Sequence, residues 1–399
     1  MIWFEFVVLS FICVLGVPVL TLLAQVLLAR NLREPAPERP GDRIAEVVAD
    51  RPSVAVLIPA HDEEGALGRT LACVGPQLLA RDRLLVVADN CTDLTAAIAR
   101  SWGAEVLVRH HDTLRGKGFA LDHGVRALAG DPREIVVIVD ADCCVEPGAI
   151  DRLARQSGIS GRPVQARYRM DSPAGARPAT RIAEFAWQMK NFVRPLGYHR
   201  VGLPCQLMGS GMAIPWPLLE NATLASAELV EDMLLGLELA GQGSAPLFCP
   251  HAVVWSTFPL TVQGAQAQRA RWEHGHLGLI TRILPHLMAQ AVRQRSWTLM
   301  ALAIDLLVPP LALLSILVAA SGVAATVCAV LGFWGPLVAA GALHAALGAS
   351  VGLAWWRYGR AILPGKELLL AVGYAAGKVP LYVRFLCRRQ VAWIRTERR

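Results

Sequence analysis

The sequence predicts an α/β domain with a mostly parallel, doubly wound sheet that is joined to apolar membrane helices. Between residues 53 and 140, short apolar runs alternate with helical segments, which is the pattern of parallel sheets. Two long stretches, Phe6–Ala29 and Leu306–Trp356, contain no Asp, Glu, Lys or Arg. An apolar run longer than about 18 residues is typical of a membrane span.

Composition excludes several classes of protein. Charged residues make up 18% of the 399 residues, against about 25% in a typical soluble domain. The nine cysteines are scattered and include no CxxC pair, so neither a zinc site nor a disulfide framework is expected. The net charge of +7 is explained by a basic C-terminal tail, which suits contact with anionic lipid headgroups. No motif for nucleic acid is present, so none is expected as a partner.

The second apolar stretch is too long for one span and contains several Pro and Gly residues, so it predicts two helices. The resulting organisation is an N-terminal transmembrane helix, a linker, a cytosolic domain, two transmembrane helices and a basic tail. These segments are expected at 1–30, 31–52, 53–290, 297–356 and 357–399.

Orientation follows from the basic residues. Arg30 and Arg33 directly follow the first span, and basic residues stay on the cytosolic side. We therefore expect a multi-pass protein of the inner (plasma) membrane with the domain at 53–290 in the cytosol. Leu368–Val383 is short for a span, and spanning would export the basic tail, so we expect it at the interface.

Two amphipathic segments have two interpretations each. Thr180–Val193 and Leu277–Val292 are expected either to pack on the sheet or to lie at the membrane surface. Asp305, at the edge of an apolar stretch, is expected near the lipid headgroups or in contact with an acceptor.

Acidic residues follow the predicted strands. The strands are expected at Ser53–Ala60, Leu84–Ala88, Ala104–Val108 and Ile135–Val139. Ligands bind doubly wound sheets beyond the carboxyl ends of their strands. Four carboxylates fall at or just after such ends: Asp62, which is also a candidate N-cap, Asp89, Asp140 and Asp142.

Asp140 and Asp142 leave an apolar strand two residues apart, so their side chains point to the same side. Carboxylates suit Mg²⁺ or Mn²⁺, which bind through one or two carboxylates and phosphate oxygens. A DxD pair also occurs in surface turns, but its place at a strand end favours a metal site.

Two further segments have both a structural and a functional interpretation. Asp89 either caps the next helix or accepts a hydrogen bond from a base or ribose. The loop Arg115–Gly118 is either a solvated basic loop or a pyrophosphate site formed by backbone N–H groups and Lys117.

Glu231 and Asp232 begin a predicted helix. Acidic residues are favoured there by the helix dipole, but a carboxylate beside a metal site also serves to deprotonate an acceptor hydroxyl. The loop with Gly209 and Ser210 lets a substrate approach the backbone. On a later helix, Gln268, Arg271 and Trp272 share one face. Arg neutralises a diphosphate, Gln donates to it, and Trp stacks on a sugar or anchors the helix.

Together, Asp89, the Asp140-Ala141-Asp142 pair, Glu231-Asp232 and Gln268-x-x-Arg271-Trp272 resemble the motifs of family-2 inverting glycosyltransferases with a GT-A fold. The resemblance covers about residues 53–275 and is greatest to the membrane-embedded polysaccharide synthases. Cellulose, hyaluronan and poly-N-acetylglucosamine synthases belong to that group.

The resemblance implies roles for the site residues. Asp62 and Asp89 would contact the nucleobase or ribose, and Lys117 would lie near the nucleotide. Asp140 and Asp142 would bind the ribose or sugar and a Mg²⁺ or Mn²⁺ ion, with Asp142 the nearer ligand. Asp232, paired with Glu231, would be the catalytic base. The diphosphate and acceptor would meet five residues: Gln268, Arg271, Trp272, Gly209 and Ser210.

The resemblance also implies the function. The expected enzyme is a hexosyl- or N-acetylhexosaminyltransferase that moves a sugar from a nucleotide-diphosphate sugar, expected to be a UDP-sugar. The acceptor is lipid-linked or a growing saccharide in exopolysaccharide or cell-envelope glycan synthesis. Three expected spans are fewer than processive synthases usually have, which favours single transfer. The alternatives are a processive synthase, a non-catalytic nucleotide-sugar-binding assembly partner, and a nucleotidyltransferase, which would not need the Gln268 motif.

Overall fold

The computed structural model describes residues 2–29, 51–259 and 261–387, apart from the side chains of Ile2 and Val262. Most of the predicted linker at 31–52 and the end of the basic tail lie outside the described residues. The chain divides into a sheet unit and a helical unit. Of the described residues, the sheet unit takes in 51–171, 204–259 and 261–275, and the helical unit takes in 2–29, 172–203 and 276–387.

The described residues form eight strands and seventeen α-helices. The strands are β1 Val54–Ala60, β2 Arg83–Asp89, β3 Glu105–Arg109, β4 Ile135–Ile138, β5 Cys144–Val145, β6 Val164–Asp171, β7 Met212–Pro215 and β8 Leu247–Thr257. The helices are α1 Ile2–Leu28, α2 Leu67–Val74, α3 Thr95–Ser101, α4 Lys117–Leu128, α5 Ala149–Ser160, α6 Pro178–Gln188, α7 Arg194–His199, α8 Trp216–Glu220, α9 Glu231–Gly241, α10 Val262–Arg282, α11 Leu284–Arg293, α12 Trp297–Leu307, α13 Leu311–Val330, α14 Gly335–Ala354, α15 Gly365–Leu368, α16 Ala371–Ala376 and α17 Val379–Cys387.

All eight strands belong to one sheet in the order β3-β2-β1-β4-β7-β6-β8-β5. Strands β1, β2, β3 and β4 pair in parallel, and β6 pairs in parallel with β8, whereas β7 and β5 run antiparallel to their neighbours. The predicted α/β class with a mostly parallel sheet is therefore confirmed. Strand β4 is buried along its whole length, as its unbroken apolar sequence requires. The carboxyl ends of β1, β2 and β4 open on the same edge of the sheet.

Helix α6 lies in the helical unit and continues into a π-helical turn at Met189–Val193. It covers most of the amphipathic segment Thr180–Val193. Its buried face includes Ile182 and Phe185, and the helix contacts α15, α16 and the π-helical turn Trp355–Gly359. The apolar face expected from the sequence therefore packs on C-terminal helices of its own unit.

A buried polar cluster connects three helices of the helical unit. Arg194 Nη2 on α7 donates to Asp305 Oδ1 on α12 at 2.8 Å, and Arg194 Nε donates to Gln25 Oε1 on α1 at 3.2 Å. Gln25 Nε2 donates to Asp305 Oδ1 at 2.7 Å, which completes the network. All three side chains are buried. Neither expectation for Asp305 included this ion pair, because Arg194 is far away in sequence.

Within the described residues, four helical stretches are long and apolar enough to cross a membrane by length and composition: Trp3–Leu28, Leu311–Val330, Gly335–Gly359 and Gly365–Cys387. The sequence predicted about three membrane spans, one fewer than these four stretches. The difference is the last stretch, expected at the interface, which the structure divides into α15, α16 and α17. These stretches are consistent with membrane association.

We predict that Asp305→Leu strongly destabilises the helical unit. The side chain of Arg194 is 7% exposed, and an unpaired buried charge costs about 3–5 kcal/mol. The triple variant Gln25→Leu/Arg194→Met/Asp305→Leu should recover most of the loss, because replacing a whole buried polar cluster by apolar groups is often neutral. Thermal unfolding in detergent measures both.

The matched control is Asp122→Asn, which breaks the exposed pair between Asp122 and Arg126 and should cost less than about 0.5 kcal/mol. If Asp305→Leu unfolds at the temperature of this control, the buried cluster does not stabilise the unit as described.

Candidate active site

A cleft of about 830 Å³, including its open mouth, lies at the carboxyl ends of β1, β2 and β4. Its walls also include the loop before α4 and one residue from α10. Charged residues from distant parts of the chain meet here. The charged lining residues include Asp89, Lys117, Asp140, Asp142 and Arg271.

The acidic turn Asp140–Asp142 follows β4 after one intervening residue, Val139. Ligand atoms of Asp140, Asp142 and Cys143 lie within 4.8 Å of one another. Burial raises the pKa of the Cys143 thiol to about 12, and a thiol is a soft ligand that Mg²⁺ and Mn²⁺ do not prefer. The two carboxylates remain, and such hard oxygen donors fit Mg²⁺ or Mn²⁺.

Lys117, the first residue of α4, lies between the acidic turn and the start of α9. Its Nζ lies 2.5 Å from Asp140 Oδ1 and 3.6 Å from Glu231 Oε1, and it donates to the carbonyl of Gly209 at 2.7 Å. Burial lowers the pKa of Lys117, but the carboxylates of Asp140, Glu231 and Asp232 outweigh burial and hold the pKa above its usual value. Lys117 is therefore a fixed positive charge.

Glu231 and Asp232 form the first turn of α9, where the helix dipole favours carboxylates. Burial raises the pKa of Glu231 to about 7, while Lys117 lowers it and Asp232 raises it. Asp232 faces the same loop as Lys117: a Cβ added to Gly209 would lie 3.3 Å from Asp232 Oδ2 and 3.6 Å from Lys117 Nζ. The pair is thus close to the acidic turn and holds a proton near neutral pH.

Gly209 and Ser210 support this arrangement from the loop before β7. Gly209 has a φ of +93°, which is accessible mainly to glycine, and its carbonyl faces Lys117. The buried hydroxyl of Ser210 accepts a hydrogen bond from the backbone N–H of Asp140 at 3.0 Å. Ser210 therefore shapes the acidic turn.

Gln268, Arg271 and Trp272 all lie on α10, but they are not equivalent. Arg271 lines the cleft. Burial lowers its pKa, while nearby Glu231 and Asp140 oppose that shift. Gln268 is 3% exposed, and its Oε1 has no hydrogen-bond partner among the described residues. Trp272 is half-buried and is not among the residues that line the cleft.

Asp89 ends β2 and lines the cleft. Its Oδ1 accepts hydrogen bonds from Arg109 Nη1 at 2.5 Å and from Asn90 Nδ2 at 3.1 Å. His61 Nδ1 lies 2.7 Å from the Asp89 carbonyl, which joins the ends of β1 and β2. The sequence did not point to Arg109, which acts through Asp89 on the neighbouring strand, or to His61, which lines the cleft itself.

Asp62 is placed differently from the other strand-end acids. Helix α2 begins at Leu67 with Ala66 at its N-cap, so the expectation that Asp62 caps this helix is wrong. The Asp62 carboxylate instead accepts hydrogen bonds from the backbone N–H and hydroxyl of Thr92, at 2.6 and 3.2 Å. Asp62 adopts a left-handed backbone with φ of 51°, and it is not among the residues that line the cleft. These contacts organise the loop beside the cleft.

Comparison with known proteins gives a family match over the part of the chain that contains this cleft. Residues 52–275 match the family described as glycosyltransferase like family 2. The probable glycosyltransferase YdaM of Bacillus subtilis is 26% identical over 250 residues, which are 60% of this chain and 59% of that protein. The 4,4'-diaponeurosporenoate glycosyltransferase of Staphylococcus aureus is 32% identical over 111 residues, 27% of this chain and 29% of that protein. The chain thus spans less than two thirds of these relatives.

Among solved structures, the mannosyltransferase PcManGT from Pyrobaculum calidifontis has a similar fold. It was solved in complex with GDP-Man and Mn²⁺, and it is 18% identical to this chain with a TM-score of 0.52. The match covers 89% of this chain and 99% of that one. At this level of identity, the likeness concerns the fold.

Proposed function

The chain belongs to glycosyltransferase family 2, and on that premise we propose that it transfers one sugar from a nucleotide-diphosphate sugar to a lipid-linked or growing saccharide acceptor. The product serves exopolysaccharide or cell-envelope glycan synthesis. The observation that carries the proposal is the cleft in which Asp89, Asp140, Asp142, Lys117 and Arg271 converge. It offers carboxylates for a metal and sugar, and cations for a diphosphate.

The acidic turn Asp140–Asp142 fits a Mg²⁺ or Mn²⁺ ion, and Asp142 would be its nearer ligand. When bound, the ion supplies positive charge that stabilises the diphosphate as it leaves. Lys117 and Arg271 add fixed positive charge on the same cleft, and preorganised charge of this kind favours developing negative charge. PcManGT, solved with Mn²⁺, supports this choice of ion.

The reaction is a single displacement. The oxygen of an acceptor hydroxyl attacks the anomeric carbon of the donor, and the bond between that carbon and the phosphate oxygen breaks. The bonding electrons leave with the nucleoside diphosphate, and the hydroxyl proton passes to the carboxylate of Asp232. Attack opposite the leaving group inverts the anomeric carbon.

Asp89 is the proposed contact for the base or ribose, because it lines the cleft at the end of β2. The contacts of Asp62 to Thr92 support a role in shaping that end of the cleft rather than in direct binding. A UDP-sugar remains the expected donor. A test panel needs guanosine donors as well, because PcManGT was solved with GDP-Man.

We propose an inner-membrane, multi-pass protein whose sheet unit faces the cytosol, where nucleotide sugars occur. The four apolar stretches support membrane attachment and access to a lipid-linked acceptor. A processive synthase is the alternative, and a non-catalytic assembly partner is the alternative outside enzymes. The charged cleft and the half-buried Glu231-Asp232 pair favour an enzyme.

We predict that Asp232→Asn lowers kcat by about 10²–10⁴-fold, the usual contribution of a general base, while the donor still binds. Release of nucleoside diphosphate from a panel of donors with added Mn²⁺ measures turnover. Glu220→Gln, an exposed carboxylate at the end of α8, is the control and should keep native activity. Donor binding by the native chain without any release would favour the non-catalytic partner.

We predict that kcat/KM rises with pH through about 7. Glu231 has a pKa of about 7 beside Asp232, so below that value the pair holds a proton and a base is lost. In Glu231→Gln the coupling disappears, and the rise should move to lower pH. A pH–rate profile whose rise stays near pH 7 in Glu231→Gln would show that another group controls it.

We predict that membranes containing the chain yield a product one sugar longer than its acceptor. Single transfer is favoured by the small number of apolar stretches among the described residues, because processive synthases usually have more spans, and sizing labelled products by electrophoresis or mass spectrometry tests it. A ladder of long products from the native chain, absent with Asp232→Asn, would favour the processive synthase instead.

A further inference from the structure

Three buried hydroxyl groups from different elements hold the acidic turn Asp140–Asp142. Ser210 accepts a hydrogen bond from the first backbone N–H of the turn at 3.0 Å. Thr70 on α2 donates to the central carbonyl of the turn at 2.7 Å. Both bonds involve the backbone and shape the turn. Of these three hydroxyls, the one of Ser256 on β8 bonds a side chain proposed to bind the metal, since its Oγ lies 2.6 Å from Asp142 Oδ2.

The Ser256 hydroxyl has one proton and two acceptors nearby. Asp142 Oδ2 is 2.6 Å away and the Asp142 carbonyl is 3.2 Å away. A hydroxyl that donates to a carboxylate forms a bond of about 2.5–2.7 Å, so the proton points to Oδ2. This charge-assisted bond fixes the rotation of the carboxylate about its last torsion angle, which is otherwise broad.

The bond is held on rigid and buried structure. Ser256 is 1% exposed and Asp142 is 6% exposed, so water does not readily replace the hydroxyl. Strand β8 pairs on both sides, with Met170 of β6 opposite Ser256 and with Cys144 of β5 opposite Trp255. Because β5 starts two residues after Asp142, the same pairing fixes the distance between Ser256 and the acidic turn.

We propose that Ser256 is a positioning residue for divalent-metal binding: its hydrogen bond orients the Asp142 carboxylate before the ion arrives. The inference rests on the proposed function, because it requires Mg²⁺ or Mn²⁺ at the acidic turn. Ser256 does not touch the substrate or the ion in this account. It acts through Asp142 alone.

This role has a specific signature. Residues that orient metal ligands typically change metal affinity by about 10–100-fold when they are lost. Ser256→Ala should therefore weaken binding of Mn²⁺ by about that factor and raise the Mn²⁺ concentration needed for activity. At saturating Mn²⁺, kcat should recover towards the native value, because Asp232 and Arg271 are unchanged. A residue needed only for folding would not separate these two quantities.

The experiment titrates the full chain in detergent with Mn²⁺ alone and counts free ion by electron paramagnetic resonance. Ser157→Ala is the matched control. Ser157 is also fully buried, and its hydroxyl donates to the carbonyl of Arg162 at 3.0 Å, outside the cleft. We expect Ser157→Ala to lose similar thermal stability but to bind Mn²⁺ like the native chain.

Native Mn²⁺ affinity in Ser256→Ala would overturn the inference, whatever its stability. If Ser256→Ala fails to fold, Ser256→Cys decides, because a thiol of similar size donates only weakly. Mn²⁺ binding weakened severalfold in Ser256→Cys supports the inference, and native binding overturns it. If the native chain binds Mn²⁺ and releases nucleoside diphosphate while Ser256→Ala binds normally, only the inference fails. If the native chain neither binds Mn²⁺ nor turns over a donor, the proposed function fails with it.

Discussion

The positive charge of Lys117 allows several carboxylates to lie around one cleft. Its Nζ contacts Asp140 and Glu231 and also bonds the carbonyl of Gly209. Two like charges about 4 Å apart near a protein surface repel by about 4 kcal/mol, so an acidic turn and an acidic helix start need a cation between them. A Cβ on the next residue, Gly118, would lie 2.6 Å from the carbonyl of Leu224. The start of α4 therefore also packs tightly against the loop that leads to Glu231.

This arrangement links binding to chemistry. Lys117 contacts Asp140, which is part of the proposed metal and diphosphate site. It also contacts Glu231, which precedes the proposed base Asp232. Lys117 therefore holds the Glu231-Asp232 pair beside the acidic turn.

Local patterns in the sequence were sufficient to predict much of this site. Apolar runs before Asp89 and Asp140 predicted strands whose carboxyl ends share one edge, and the structure has those strands there. The acidic residues Glu231 and Asp232 do begin a helix. Contacts between residues far apart in sequence leave no local pattern. Ser256 on β8 and Arg109 on β3 are ordinary strand residues until the sheet order brings them beside Asp142 and Asp89.

The same limit applies to the helical unit. Charge depletion alone was enough to predict the first three apolar helices, because a long run without charged residues is itself the signal for such a helix. The burial of Asp305 depends on Arg194 and Gln25, which come from two other helices. The sequence also could not decide whether Gly365–Cys387 spans a membrane or lies at its surface. The stretch is long enough to span, but Lys378 near its middle also makes it polar enough for the interface.

A structure of the full chain with a nucleotide-diphosphate sugar and Mn²⁺ tests the central claim most directly. The account predicts the ion within about 2.2 Å of an Asp142 oxygen, as manganese and magnesium carboxylate bonds require, with the diphosphate beside Arg271 and Lys117. A nucleotide bound away from this cleft, or an ion that does not contact the acidic turn, would contradict it.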